Sequence, residues 1–176
     1  MPFDSIRTWL GFGPASADAP APAALRELMQ TLDDLEPERA RYLARFAYLL
    51  GRIAHADQHV SPEEARTMEA LLVREGGLSP EQAVVAAGLA KASNVLFGGT
   101  AGFEVAQEFS AAATYEEKLA LVRCLFAVAA VDESISVAEE SEIHRVAIQF
   151  KILPQDLTAL RVGHARFLPG LAPPRG

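Results

Sequence analysis

The chain has a single cysteine and a single tryptophan in 176 residues, and it is poor in basic side chains, with 16 Lys and Arg against 23 Asp and Glu for a formal charge of −7. Each scarcity excludes something. Cys124 alone supports neither an internal disulfide framework nor a thiolate metal cluster. Its place inside the mostly apolar run 121–131 marks it as a buried, inert thiol. No segment carries the basic footprint that a phosphate backbone requires, so nucleic acid is excluded as a partner; a cation or a basic protein suits this acidic surface better. No segment approaches the ~18 uninterrupted apolar residues of a membrane span, and the start of the chain lacks the basic-then-apolar order of a secretory signal. A cytoplasmic location is the expectation.

What the chain has in quantity is apolar side chains, 50% of all residues, enough to build the core of one domain. From Ala24 onward no stretch sustains the alternation of a strand, while Ala, Leu, Glu and Arg dominate, so the fold class is all-α. Leu43, Phe46, Leu50 and Ile53 recur at helical spacing, as do Leu119, Val122, Phe126 and Ala129. Leu121, Leu125 and Val128 make the second of these helices apolar on another side too, which predicts a central position.

The sequence also repeats itself. Ala54-His55-Ala56-Asp57-Gln58-His59-Val60-Ser61-Pro62-Glu63-Glu64 returns 75 positions later as Ala129-Ala130-Val131-Asp132-Glu133-Ser134-Ile135-Ser136-Val137-Ala138-Glu139. The same offset maps Phe46 onto Leu121, Leu50 onto Leu125, Met68 onto Ile143 and Leu71 onto Val146 without a gap. Asp57/Asp132, Ser61/Ser136 and Glu64/Glu139 are the polar residues that recur identically. The reading is a single helical domain of two three-helix repeats, about 39–92 and 114–166, related by a pseudo-twofold axis. Third helices are expected near Pro80 and Pro154. A connecting segment, Ser93 to Ala113, is read as a loop followed by one short helix; its Gly98-Gly99 lacks the context of a phosphate-binding loop.

Outside the domain, assigned to 24–167, residues 1–23 comprise a short apolar segment with Ile6, Trp9 and Leu10 and then a Pro/Ala-rich linker. That segment reads as a tail docked on its own domain, with peripheral membrane contact as the alternative. Residues 168–176, with three prolines, are read as a disordered tail.

The duplicated turn carries the chemistry. Ser-x-x-Glu matches a capping box, in which Ser caps the helix and Glu reaches back to the Ser amide. The aspartates are different: each stands where the helix dipole is negative, unfavourable for a carboxylate by a few tenths to ~1 kcal/mol. Either loop amides compensate, or carboxylates of both turns meet on a hard divalent cation. Set against an EF-hand loop, Asp57 and Asp132 fall at position 5 and Glu64 and Glu139 at the bidentate position 12, but no oxygen side chain stands at positions 1 and 3. Each turn is half a chelate. His55 and His59 flank Asp57 four apart and read as exposed; His144 and His164 complete no site. An enzyme performing metal-assisted hydrolysis around His55, Asp57 and His59 would lack an identifiable nucleophile, so a non-enzymatic protein is the reading.

Asp-x-x-Val/Ile-Ser-x-x-Glu, standing twice between Ala-rich helices, resembles the tellurite-resistance TerB-like family over about Leu35 to Arg166. The resemblance implies an all-helical, cytoplasmic bacterial protein associated with tellurite or chemical stress, with Asp57, Glu64, Asp132 and Glu139 as ligands of a divalent cation such as Ca²⁺. It also implies an interaction module, since a related domain is fused to DnaJ-type co-chaperones. The alternative function is accordingly a metal-free scaffold whose acidic surface recruits a basic protein. The chain departs from the family's usual Asp-Gly at Asp57-Gln58 and Asp132-Glu133, which puts the tight turn in question.

Overall fold

Proline sets the start of four helices. Pro37, Pro62, Pro80 and Pro154 each occupy the first helical position, where a missing amide removes no intrahelical bond. The computed structural model describes residues 23–54, 62–97 and 102–170. Their helices are α1 (Ala23–Asp33), α2 (Pro37–Ala54), α3 (Pro62–Gly76), α4 (Pro80–Phe97), α5 (Gly102–Ala112), α6 (Tyr115–Ala129), α7 (Val137–Gln149) and α8 (Pro154–Gly163), with 3₁₀ turns at Ala130–Asp132 and Ala165–Phe167. There is no strand among the described residues, and the chain forms one all-α domain. No described helix is long and apolar enough to cross a membrane.

Helices α2 and α6 form the centre. Along α2, Leu43, Phe46, Leu50 and Ile53 are all buried, and so are Tyr48 and Leu49 on an adjoining face. Along α6, Leu121, Val122, Cys124, Leu125 and Phe126 are fully enclosed, as the two apolar sides of its sequence require. Burial of each large side chain contributes roughly 1.5–3 kcal/mol. Helix α4 lies along α2 in the largest interhelical contact, α3 spans α4 and α6, and α7 and α8 close over α6. Phe109 of α5 stacks on Phe150 just beyond α7 at 5.2 Å and meets Tyr42 of α2 at 5.4 Å, so the connecting helix is part of the core.

The 75-residue offset recurs in the helix boundaries. Helices α2 and α6 end at Ala54 and Ala129, and α3 and α7 begin at Pro62 and Val137. The third helices differ: α4 has 18 residues and lies deep against α2, whereas α8 has 10 and touches α6 lightly. Helix α4 also takes up Ser93–Phe97, residues that the sequence pattern put in the connecting segment. Leu168, expected as the first residue of a disordered tail, is 1% exposed; just before it the Phe167 carbonyl accepts a hydrogen bond from Ile135 N–H at 2.8 Å, which draws this stretch onto the acidic turn.

Cys124 is buried as its apolar setting implies. Burial, reinforced by the nearby Glu75 carboxylate, pushes its thiol up to about 12. A Cβ on Gly76 would stand 3.0 Å from the Cys124 sulfur, so α3 ends in close contact with α6 here.

This packing sets a sharp contrast between two apolar side chains. Phe126→Ala, which empties the centre of α6, is expected to cost about 3–5 kcal/mol in denaturant unfolding. Ile148→Ala, on the 64% exposed face of α7, should stay within about 0.5 kcal/mol of the parent.

Candidate functional site

The described half of the duplicated motif begins where α6 runs out of apolar residues. After Ala129 the chain tightens into the 3₁₀ turn Ala130–Asp132, and Glu133 then reverses it in the left-handed region at φ 58° and ψ 18°. Its amide donates to the Ala130 carbonyl at 3.0 Å. The conformation that glycine adopts most cheaply is thus made here by a glutamate, at a backbone cost of about 1–2 kcal/mol. The missing glycine does not prevent the tight turn in this copy.

Beyond the turn, Ile135 is fully buried and anchors the loop from below. Ser136 then caps α7 with extended backbone, φ −71° and ψ 159°. The Glu139 amide donates to the Ser136 hydroxyl oxygen at 3.2 Å, and the Ser136 amide donates to Glu139 Oε2 at 2.7 Å. In this second copy the capping box read from the sequence is present in full. Asp132 is exposed, and its carboxylate makes no hydrogen bond or ion pair with another described residue. Capping chemistry therefore accounts for Ser136 and Glu139, and among the described residues no side chain or cap offsets the Asp132 carboxylate at the negative end of α6.

Asp57 and Ser61, with His55 and His59, lie outside the described residues, as do the Trp9 segment and Gly98-Gly99. Glu64 falls in the first turn of α3. The structure does bring the two repeats together nearby. Arg52, in the last turn of α2, pairs with Glu142 of α7 at 2.6 Å, and Arg145 holds the other Glu142 oxygen at 2.7 Å. Glu142 is one turn beyond Glu139, and Arg52 is five residues before Asp57. The counterparts of Arg52 and Glu142 under the repeat are Ala127 and Thr67, so comparison of the two copies could not reveal this bridge. Helix α6 opens on a capping box of its own, Thr114 with Glu117, which the sequence also carries as Thr-x-x-Glu. His144 is exposed, and His164 stacks on Phe126 at 5.4 Å while its Nδ1 lies 2.9 Å from the Leu160 carbonyl oxygen, a structural role.

Carboxylate oxygens are the right donors for a hard divalent cation, which takes six to eight of them when the ion is Ca²⁺. The number is the difficulty for one turn alone. Glu139 has one oxygen committed to the Ser136 amide, so the bidentate mode of an EF-hand glutamate conflicts with the cap. Among the described residues no three acidic, His or Cys side chains gather closely enough to hold a metal. Among the described residues the turn offers Asp132 and the free oxygen of Glu139, fewer oxygens than such a cation takes.

A model of the tellurite resistance protein TerB matches residues 43–162. The chain belongs to the TerB family. The TerB match runs from within α2 to within α8 and so contains both acidic turns, and it excludes α1. No curated protein and no solved structure matches the chain.

Two substitutions separate the parts of this TerB turn. Ser136→Ala is expected to lower stability by about 0.5–2 kcal/mol through loss of the cap. Glu133→Gly should raise it by about 0.5 kcal/mol, because relief of about 1–2 kcal/mol of left-handed strain outweighs the added freedom of the unfolded chain, about 0.4–1 kcal/mol. Urea unfolding of both variants measures the two effects.

Proposed function

We propose that this TerB-family chain is a non-enzymatic protein of the tellurite or chemical stress response that takes a divalent cation between its two acidic turns. Asp132, the free oxygen of Glu139, Asp57 and Glu64 are its ligands, with water completing the shell. Ca²⁺ suits the arrangement best, since it accepts irregular, high coordination by carboxylates and water. The observation that carries the reading is Asp132, an exposed carboxylate at the negative end of α6 that no described residue pairs. Support comes also from the Arg52–Glu142 ion pair, which holds the last turn of α2 against the first half of α7. When bound, the cation would supply the positive charge that the end of α6 lacks. The protein's part is to hold the two turns at one end of the bundle and transmit the loaded state to a protein partner, with the acidic surface favouring a basic one.

A second reading is a metal-free interaction scaffold. The complete Ser136–Glu139 box favours it, because it explains two of the recurring residues with no ion.

Titration calorimetry with Ca²⁺, Mg²⁺, Mn²⁺ and Zn²⁺ distinguishes them. The cation reading expects saturable heat for at least one ion, lost in Asp57→Asn and Asp132→Asn, and stabilisation of about 2.7 kcal/mol at 100 times Kd. No heat with any ion and no change of melting temperature on adding EDTA would leave the scaffold.

A further inference from the structure

A second feature lies against α4, the helix in longest contact with α2. Helices α1, α3 and α4 enclose an open groove of about 600 Å³ whose lining is chiefly apolar, with Leu28, Met68, Val84 and Val85 among its walls. Its shape follows from one close approach. A Cβ at Gly88 would stand 2.5 Å from Leu28 Cδ1, so α1 sits directly on α4 at that glycine while α3 leans on α4 from the other side, leaving a trough between α1 and α3. Val84 lies in it 47% exposed. Three carboxylates, Glu27, Glu69 and Glu81, belong to its lining, against one cation, Lys91.

We infer that this groove is the docking site of the chain's own N-terminal segment, Phe3 to Phe12. Phe3, Ile6 and Leu10 are spaced i, i+3, i+7, the anchor pattern of an amphipathic helix laid in a groove, with Trp9 beside them. Arg7, the one cation of the segment, matches the three glutamates of the groove. The tether is long enough: Gly13 to Pro22 is ten residues and reaches roughly 33–36 Å at full extension. Helix α1, which the segment must pass, is only about 16 Å long. Covalent attachment also gives the segment an effective concentration of about millimolar, an advantage over any free peptide of the same sequence. One wall of the groove, α1, precedes the residues matched by the TerB model, so the family match alone does not account for the groove.

Trp9 is the chain's only tryptophan, so its fluorescence reports the segment alone. In the full chain, acrylamide quenching of Trp9 should be several-fold weaker than in the urea-unfolded chain. It should be independent of protein concentration and unaffected by anionic lipid vesicles. Val84→Arg and Thr31→Arg, which block the groove from α4 and from α1 at exposed positions and repel Arg7, should each return quenching to the unfolded value while circular dichroism stays unchanged. Having variants on two helices keeps the test decisive if one of them misfolds. Quenching as strong in the native as in the unfolded chain overturns the inference. So does protection that survives both variants, protection that grows with concentration and thus belongs to a second copy, or protection that appears only with vesicles.

Discussion

The structure depends on the enclosure of α6. Leu121, Val122, Cys124, Leu125 and Phe126 leave this helix with scarcely a side facing water, and α2, α3, α7 and α8 are arranged by the need to cover it. A helix buried on several faces has little freedom to slide or rotate, because each shift would open cavities or force overlaps costing kilocalories. Its C-terminal end is therefore a fixed point. The turn that follows, Ala130 to Ser136, starts from that point and is pinned again by Ile135 in the core and by the Phe167 carbonyl. A carboxylate on such a turn is held by hydrophobic packing that never touches it.

That rigidity gives the acidic turn its meaning. Ser136 and Glu139 spend their polar atoms on each other's backbone, which orients the start of α7 and consumes half of the glutamate's capacity as a ligand. Asp132 has no such employment among the described residues, and Glu133 accepts left-handed backbone to hold the reversal in which Asp132 stands. The Arg52–Glu142 pair adds the cross-repeat tie that duplicated local motifs cannot supply, since each copy knows only its own sequence. A surface ion pair of this kind is worth little as stability, about 0–1 kcal/mol, and its importance here is positional.

Much of this was legible beforehand, for identifiable reasons. Helical spacing of Phe46, Leu50, Val122 and Phe126 reported burial because a helix converts a period in sequence into a face in space. Ser-x-x-Glu reported a cap because the partners lie three residues apart. The family was legible for the same reason: its motif is local and occurs twice. The unequal third helices were not legible, since Pro80 and Pro154 announce two starts in the same way and only tertiary packing decides that one helix runs deep along α2 while the other stops early. Leu168 was masked by its proline-rich neighbours, although one buried leucine is enough to hold a segment down. Arg52 with Glu142, ninety positions apart and absent from the repeat, left no trace in the pattern of letters.

The central claim is that packing around α6 delivers Asp132 to a place where Asp57 can share a cation with it. A crystal structure of the chain grown with Mn²⁺, its position fixed by anomalous scattering, measures this directly. The account predicts one ion with carboxylate oxygens of Asp57 and Asp132 within about 5 Å of each other, the span that two oxygens at about 2.3–2.6 Å from one ion can cover. Carboxylates more than about 12 Å apart, each turned to its own helix terminus with no ion between them, would contradict it.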